Sequence, residues 1–134
     1  MRIMAIDYGD ARTGVAVSDP LGMLAGETFV IKQWDPDALA DAIAGEARAR
    51  DVSTLVLGLP KNMDGTEGPR AEKSRAMKAL LEARGMTVVL WDERRTTVDA
   101  HRILRENGKK EKKHRDTVDA VAAALILEGY LGSR

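Results

Sequence analysis

The 134-residue sequence contains no cysteine, which excludes disulfide frameworks and thiolate metal sites. Only 4% of the residues are aromatic, and this scarcity argues against a base-stacking platform. The two tryptophans, Trp34 and Trp91, are therefore predicted to serve packing. No stretch approaches the roughly 20 apolar residues that a membrane span requires, and no signal-peptide pattern opens the chain. We expect a cytoplasmic protein.

The sequence also lacks an excess of either charge, since 21 Lys and Arg balance 21 Asp and Glu. This balance argues against a general nucleic-acid coat protein, whose affinity comes from many phosphate contacts. It does not exclude a nuclease, because an acidic site cancels part of a basic surface. The densest basic segment, residues 108–115, is either a solvated loop or a phosphate-binding segment. Its lysines are Lys109, Lys110, Lys112 and Lys113.

The apolar pattern predicts one α/β domain over residues 1–134, with a mixed five-stranded sheet flanked by helices. We predict strands at residues 3–7, 13–18, 26–32, 54–59 and 87–91, and helices at residues 35–50, 70–84, 97–107 and 116–131. The first three strands should be antiparallel and the later ones parallel, joined by crossovers. Gly9 should supply a positive φ between the first two strands. The last helix has almost no polar face and should be buried.

Three separated carboxylates are the best indication of function. Asp7 and Glu93 each follow a short apolar run, and Asp119 lies in an Ala-rich helix. The carboxyl ends of parallel strands form the ligand crevice of such sheets, so these acids should converge there. Hard oxygen ligands suit Mg²⁺ or Mn²⁺ and two-metal phosphodiester cleavage. Asp116, three residues before Asp119, is either a fourth ligand or a helix cap.

Four sequence blocks together resemble the YqgF (RuvX) family of Holliday-junction-resolvase-like proteins. They are Ile6-Asp7-Tyr8-Gly9 with Thr13-Gly14-Val15-Ala16-Val17-Ser18-Asp19, then Val56-Leu57-Gly58-Leu59-Pro60-Lys61-Asn62-Met63-Asp64-Gly65-Thr66, then Asp92-Glu93-Arg94 with Thr96-Thr97, and finally Val118-Asp119-Ala120-Val121-Ala122-Ala123-Ala124-Leu125-Ile126-Leu127. The blocks occur in the family's order and span nearly the whole chain. Each alone is weak, but the combination is highly specific.

The resemblance implies a ribonuclease-H-like fold and a metal-dependent endonuclease acting on structured nucleic acid. Processing of the small-subunit ribosomal RNA precursor is the favoured role, with ribosomal components as further partners and a monomer or homodimer as the active form. The catalytic and metal-binding acids would be Asp7, Glu93 and Asp119. Arg94 would be a phosphate partner or a structural one, and Lys61 and Asn62 lie in a loop of undetermined role.

Three alternatives remain open from the sequence. The first is a Holliday-junction resolvase acting on four-way DNA, and the second is a non-catalytic nucleic-acid-binding module. The third is an actin-like nucleotide phosphotransferase, because Asp7-Tyr8-Gly9 followed by Thr13-Gly14 resembles the first phosphate loop of that superfamily. Those enzymes close two domains over ATP, whereas one is predicted here.

We predict that the basic segment binds phosphate groups. Replacing its four lysines by alanine should reduce the slope of log affinity against log salt by about 0.7–0.9 for each lysine–phosphate interaction removed. The measurement is a salt titration of nucleic-acid binding. Affinity and slope that both stay unchanged would identify the segment as a solvated loop.

Overall fold

The computed structural model describes residues 2–22, 25–95 and 115–133. The five strands are β1 (Arg2–Asp7), β2 (Arg12–Ser18), β3 (Ala25–Lys32), β4 (Val52–Leu59) and β5 (Val88–Asp92). The helices are α1 (Pro36–Ala49), α2 (Pro69–Glu82) and α3 (Arg115–Gly132), and a 3₁₀ turn spans Glu93–Arg95. These boundaries agree with the predicted ones to within about two residues, the usual uncertainty of an element's end. The helix predicted at residues 97–107 lies outside the described residues.

The strands form one mixed sheet in the order β3-β2-β1-β4-β5. β2 is antiparallel to both β1 and β3. β4 is parallel to both β1 and β5. The predicted mixed five-stranded sheet is therefore confirmed. The carboxyl ends of β1, β4 and β5 meet at one edge of the sheet, called the carboxyl edge below.

Alternation along the central strands creates two hydrophobic cores, one on each face of the sheet. Met4 and Ile6 of β1 face α1 and α2, whereas Ile3 and Ala5 face α3. The α1/α2 face is completed by the helix residues Leu39, Ile43, Met77 and Leu81, and the α3 face by Ala123, Ile126 and Leu127. β1 is buried on both faces, which explains its uninterrupted apolar sequence. In the described part of the chain, no helix is long and apolar enough to cross a membrane.

Helices α1 and α2 both begin near the carboxyl edge, since each follows a strand that ends there. The Asp35 carboxylate accepts a hydrogen bond from the Ala38 amide at 2.9 Å and caps α1. Proline begins each helix, where its missing N–H leaves no bond unmade. The two helix starts therefore border the same edge as the carboxylates.

The link between β1 and β2 differs from the sequence prediction. Gly9 does not have a positive φ, which among the described glycines occurs at Gly22, Gly65 and Gly85. Glycine is required at position 9 because a Cβ there would collide with the Arg12 carbonyl oxygen. The tight link thus depends on close approach of the backbone.

The burial predicted for α3 is confirmed for one face only. Ala123, Ile126 and Leu127 are buried against the sheet, whereas Val121 and Leu125 remain partly exposed. The helix lies on β1, β2 and β3, and nothing in the described residues covers its outer side completely. An apolar sequence alone did not reveal this partial exposure.

Close packing of α3 depends on Gly14 of β2. A Cβ at Gly14 would collide with the Asp119 carbonyl group and lie 3.4 Å from the Ala123 Cβ. The helix backbone therefore rests almost directly on the strand. This packing holds the start of α3 against the sheet at the level of Asp119.

Gly14→Ala should lower the free energy of unfolding by about 1–3 kcal/mol, because α3 and β2 must separate to admit the methyl group. Gly45→Ala in α1 is the matched control, since a Cβ there meets nothing within 4 Å. That control should stabilise by about 0.4–1 kcal/mol. Denaturant unfolding of both variants measures the difference. A Gly14→Ala variant as stable as the parent would contradict the close packing.

Candidate active site

Three acidic side chains are brought together at the carboxyl edge by three different elements. Asp7 ends β1, Glu93 begins the 3₁₀ turn after β5, and Asp119 lies about one turn into α3. The β1–β2 register pairs Asp7 with Gly14, against which the Asp119 backbone packs. The predicted convergence of the three acids is thus present in the geometry, although their chemical roles stay predictions.

Glycine at position 58 makes room for Glu93. Ile6 pairs with Leu57, so Gly58 is level with Asp7 on the neighbouring strand. A Cβ on Gly58 would lie 2.5 Å from the Glu93 Oε1 atom and 2.9 Å from the Ile126 Cδ1 atom. The Glu93 carboxylate therefore occupies the space that a side chain at position 58 of β4 would fill. Glycine inside a strand often marks such close approach.

The Asp7 carboxyl is strongly perturbed. Burial is the main cause that raises its pKa to about 8, followed by the negative charge of Glu93 and a side-chain hydrogen bond with it. The charge of Asp119 raises the pKa further, and Arg70 opposes the shift. In the absence of a cation, Asp7 therefore holds a proton near neutral pH and shares it with Glu93. Such a perturbation of clustered acids is typical of a functional site.

The donor set fits a divalent cation. Clustered carboxylates in a partly buried position are unfavourable unless protonated, paired or bound to a cation. Their oxygens are the hard ligands that Mg²⁺ and Mn²⁺ prefer. However, no three His, Cys, Asp or Glu side chains in residues 2–22, 25–95 and 115–133 have the spacing of a formed metal site. Asp119 acts on Asp7 through its charge, whereas Glu93 also forms a side-chain hydrogen bond with Asp7.

Arg94 is paired with Asp92. Its guanidinium donates to both Asp92 carboxylate oxygens, with distances from 2.7 to 3.1 Å. This pairing lowers the pKa of Asp92. A further hydrogen bond reaches the Met63 carbonyl oxygen at 3.5 Å, in the loop that follows β4. The structure therefore shows a structural contact, in which Arg94 ties the loop to the end of β5, and its role as a phosphate partner stays a prediction.

The loop between β4 and α2 is ordered by its own polar contacts. The Asn62 amide group donates to the Thr66 hydroxyl at 2.9 Å, and that hydroxyl donates to Asp64 at 2.6 Å. Gly65 adopts a φ of 91°, and Lys61 forms an isolated bridge with Glu67. Asn62 therefore serves a turn here, and Lys61 lies at the base of the loop.

Several residues predicted to act at the site lie outside the described part of the chain. They are Lys109, Lys110, Lys112 and Lys113. The backbone of Asp116 belongs to α3, but its side chain lies outside the described part. Its predicted choice between ligand and cap therefore stays a prediction.

The sequence matches one protein family over nearly its whole length. A family model described as "RuvX: Holliday junction resolvase" matches residues 1–133. The chain belongs to the RuvX family. This confirms the resemblance found in the four sequence blocks.

RuvX relatives from distant bacteria are similar over nearly their whole length. A Halothermothrix orenii protein named "Putative pre-16S rRNA nuclease" is 47% identical, with 98% of this chain and 94% of the relative covered. A Listeria monocytogenes protein of the same name is 46% identical, with 98% and 97% covered. The similarity therefore extends over nearly the whole chain.

Solved structures confirm the ribonuclease-H-like fold class. RuvC of T. thermophilus in complex with Holliday junction substrate superposes with a TM-score of 0.64 at 13% identity, covering 99% of this chain and 96% of that one. The large terminase nuclease from thermophilic phage G20c gives 0.59 at 11% identity, covering 96% and 80%. At these sequence identities, the likeness shows only the fold of this RuvX protein.

Sequence reasoning missed two contributors to the site. Arg70, near the start of α2, is the cation that opposes the pKa shift of Asp7. Its signal was the helix start that follows a strand ending at the carboxyl edge. Gly58 is the second, and its signal is an isolated glycine inside an apolar strand, which indicates that another group approaches the strand backbone closely.

The raised pKa of Asp7 predicts that Asp7→Asn increases the free energy of unfolding of the metal-free protein, by an amount that depends on pH. Because the folded state holds a proton that the unfolded state releases, this group lowers stability as pH rises from 3.8 to about 8. Asparagine removes that loss, so the variant should be more stable than the parent above pH 8, by at least about 1 kcal/mol. Urea unfolding in EDTA across this range measures the gap.

Asp10→Asn is the control for this experiment. The ion pair with Lys73 lowers the pKa of Asp10, so its ionised form is favoured in the folded state. Asp10→Asn should therefore not become more stable than the parent as the pH rises. Parallel pH profiles for the parent and Asp7→Asn would contradict the assigned burial and repulsion.

Proposed function

We propose that this protein is a metal-dependent endonuclease that processes structured nucleic acid, with the precursor of small-subunit ribosomal RNA as its substrate. The observation that carries the proposal is the convergence of Asp7, Glu93 and Asp119 at the carboxyl edge, where burial and the neighbouring charges raise the pKa of Asp7. A stable fold would not otherwise concentrate carboxylates in a partly buried place. The active unit would be a single domain of residues 1–134 in the cytoplasm, acting as a monomer or homodimer.

The three acids would hold Mg²⁺ or Mn²⁺. When bound, such ions supply an activated water nucleophile and stabilise the charge that develops on the leaving oxygen. Entry of a cation requires the proton on Asp7 to leave, because a carboxylate binds metal only when ionised. Affinity for the cation should therefore rise with pH up to about 8. The Arg70 guanidinium, exposed near the acids, would help to attract the phosphate backbone.

Support for an RNA substrate comes from the names of the relatives, which are 47% and 46% identical over nearly the whole chain. The second candidate is cleavage of a four-way DNA junction. It is favoured by the family description and by the fold shared with RuvC. Direct comparison of cleavage on a precursor RNA and a four-way DNA junction separates the two.

The remaining alternatives are less well supported. A non-catalytic binding module would not need the unfavourable cluster around Asp7. An actin-like phosphotransferase would need a second domain over the nucleotide, whereas the described residues build one sheet.

Asp7→Asn and Asp119→Asn should each eliminate metal-dependent cleavage, because each removes a negatively charged oxygen donor. Asp116→Asn should retain activity and reduce stability by about 0.5–2 kcal/mol if a cap is removed. Mn²⁺ at about a hundredfold excess over its Kd should stabilise the parent by about 2.7 kcal/mol, since it binds only the folded state. Asp119→Asn should lack this gain.

Cleavage assays with Mg²⁺ and Mn²⁺, together with thermal melting, test these expectations. Arg94→Lys is a useful companion, because it disturbs the link to the loop after β4 without removing a carboxylate. Activity that survives in Asp119→Asn and disappears in Asp116→Asn would reverse the assignment of the two helix acids. Full turnover by Asp7→Asn would rule out this site for the nuclease.

A further inference from the structure

A cavity opens on the sheet face opposite the three acids, between the start of α1 and the middle and second half of α2. Its volume is about 380 Å³, within the range of pockets that hold small organic groups. The lining is mostly apolar and aromatic. It consists of Tyr8, Asp10, Trp34, Pro36, Lys73, Ala76, Met77 and Leu80.

Trp34 gives this cavity an accessible aromatic wall. The expectation that both tryptophans serve packing is correct for Trp91, which is 6% exposed, and wrong for Trp34, which is 75% exposed. Trp34 follows β3 and directly precedes the Asp35 cap of α1, so its backbone is held by a sheet edge and a helix start. An exposed tryptophan on such a support presents a π surface to the solvent, which suits stacking of a flat ring.

The cavity borders the carboxyl edge, since Tyr8 and Asp10 line it. Asp7 and Tyr8 are neighbours at the end of β1, and alternation directs them to opposite faces of the sheet. A smaller depression adjoins the cavity, with which it shares Tyr8, Asp10 and Lys73, and it is also lined by Gly9, Pro60 and Arg70. Arg70 thus borders this depression while its charge also acts on Asp7. A bound nucleic-acid strand could pass from the α1/α2 face to the α3 face at the end of β1, where Tyr8 directly follows Asp7.

Two cations border the same path. The Lys73 ammonium pairs with the Asp10 carboxylate at 2.9 Å, and both side chains are more than half exposed. An ammonium has three donors, so Lys73 can keep Asp10 and still donate to a phosphate oxygen. Arg70 supplies the second charge. An aromatic wall beside two cations matches the chemistry of a nucleotide, whereas an apolar peptide would gain nothing from the cations.

We propose that this cavity binds one unpaired nucleotide of the substrate, with its base stacked on Trp34 and its phosphate beside Arg70 and Lys73. This inference rests on the proposed function and deepens it. A base can enter the cavity only when it is not paired in a duplex. The protein would therefore favour nucleic acid that has a single-stranded segment next to the bond at Asp7.

The test measures binding separately from cleavage. All variants carry Asp7→Asn and are kept in EDTA, which leaves the RNA intact. The probes are a fluorescein-labelled single-stranded RNA and the same RNA annealed to its complement, followed by fluorescence anisotropy. Trp34→Ala should weaken binding of the single strand about 5- to 160-fold, the range for removal of one stacking partner, and leave duplex affinity unchanged. Trp34→Phe should retain most of the affinity, because phenylalanine keeps a π surface.

Leu21→Ala is the matched control. Leu21 is 77% exposed, similar to Trp34, and lies beyond the end of β2 at the opposite edge of the sheet. It should bind both probes like the parent. Melting curves should show that all these surface variants fold.

Several outcomes would overturn the inference. They are no detectable binding of the single strand, unchanged affinity in Trp34→Ala, or an equal loss on both probes. Unchanged RNA affinity would point to another partner for the cavity, such as a protein segment. The proposed function is judged separately by cleavage with the unmutated acids. Absence of cleavage together with strand-selective binding through Trp34 would reject the nuclease and keep the nucleotide site.

Discussion

The close packing between α3 and β2 at Gly14 is the constraint on which the rest of the site depends. Gly14 is the register partner of Asp7, so a helix resting on Gly14 is brought beside the end of β1. Asp119 belongs to the turn that packs there, and its charge therefore reaches the Asp7 carboxyl. On the neighbouring strand, Gly58 leaves the space that Glu93 occupies. Two missing side chains thus allow three carboxylates from distant parts of the chain to meet.

This arrangement stores electrostatic repulsion in the folded protein. Burial and two neighbouring acids keep Asp7 protonated near neutral pH. The fold tolerates this because its stability comes from two separate cores on the two faces of the sheet, in which β1 and β4 are largely buried. A divalent cation would replace the shared proton and relieve the repulsion. The proton on Asp7 would therefore link pH and folding stability to the affinity for a cation at one carboxyl group.

The carboxyl edge has different chemistry on its two sides. The three clustered acids lie on the α3 side, whereas Trp34, Tyr8 and the Lys73–Asp10 ion pair lie on the α1/α2 side. Arg94 donates to Asp92 and to the Met63 carbonyl oxygen, and it thereby ties the loop after β4 to the end of β5. A nucleic-acid strand crossing this edge would meet base-binding and phosphate-binding groups on one side and the proposed metal ligands on the other.

The sequence by itself determined the five strands, the mixed sheet and the family, because apolar runs, helix caps and motif order are local signals that survive without coordinates. It also singled out three acids that the fold brings together, whose roles stay predictions. Tertiary structure alone decided the roles of single residues. Trp34 is exposed whereas Trp91 is buried, and Gly9 is needed for close approach of the backbone rather than for a positive φ. Arg94 pairs with Asp92, and α3 buries only one face. Each of these depends on distances between atoms in the folded chain, which composition and periodicity do not encode.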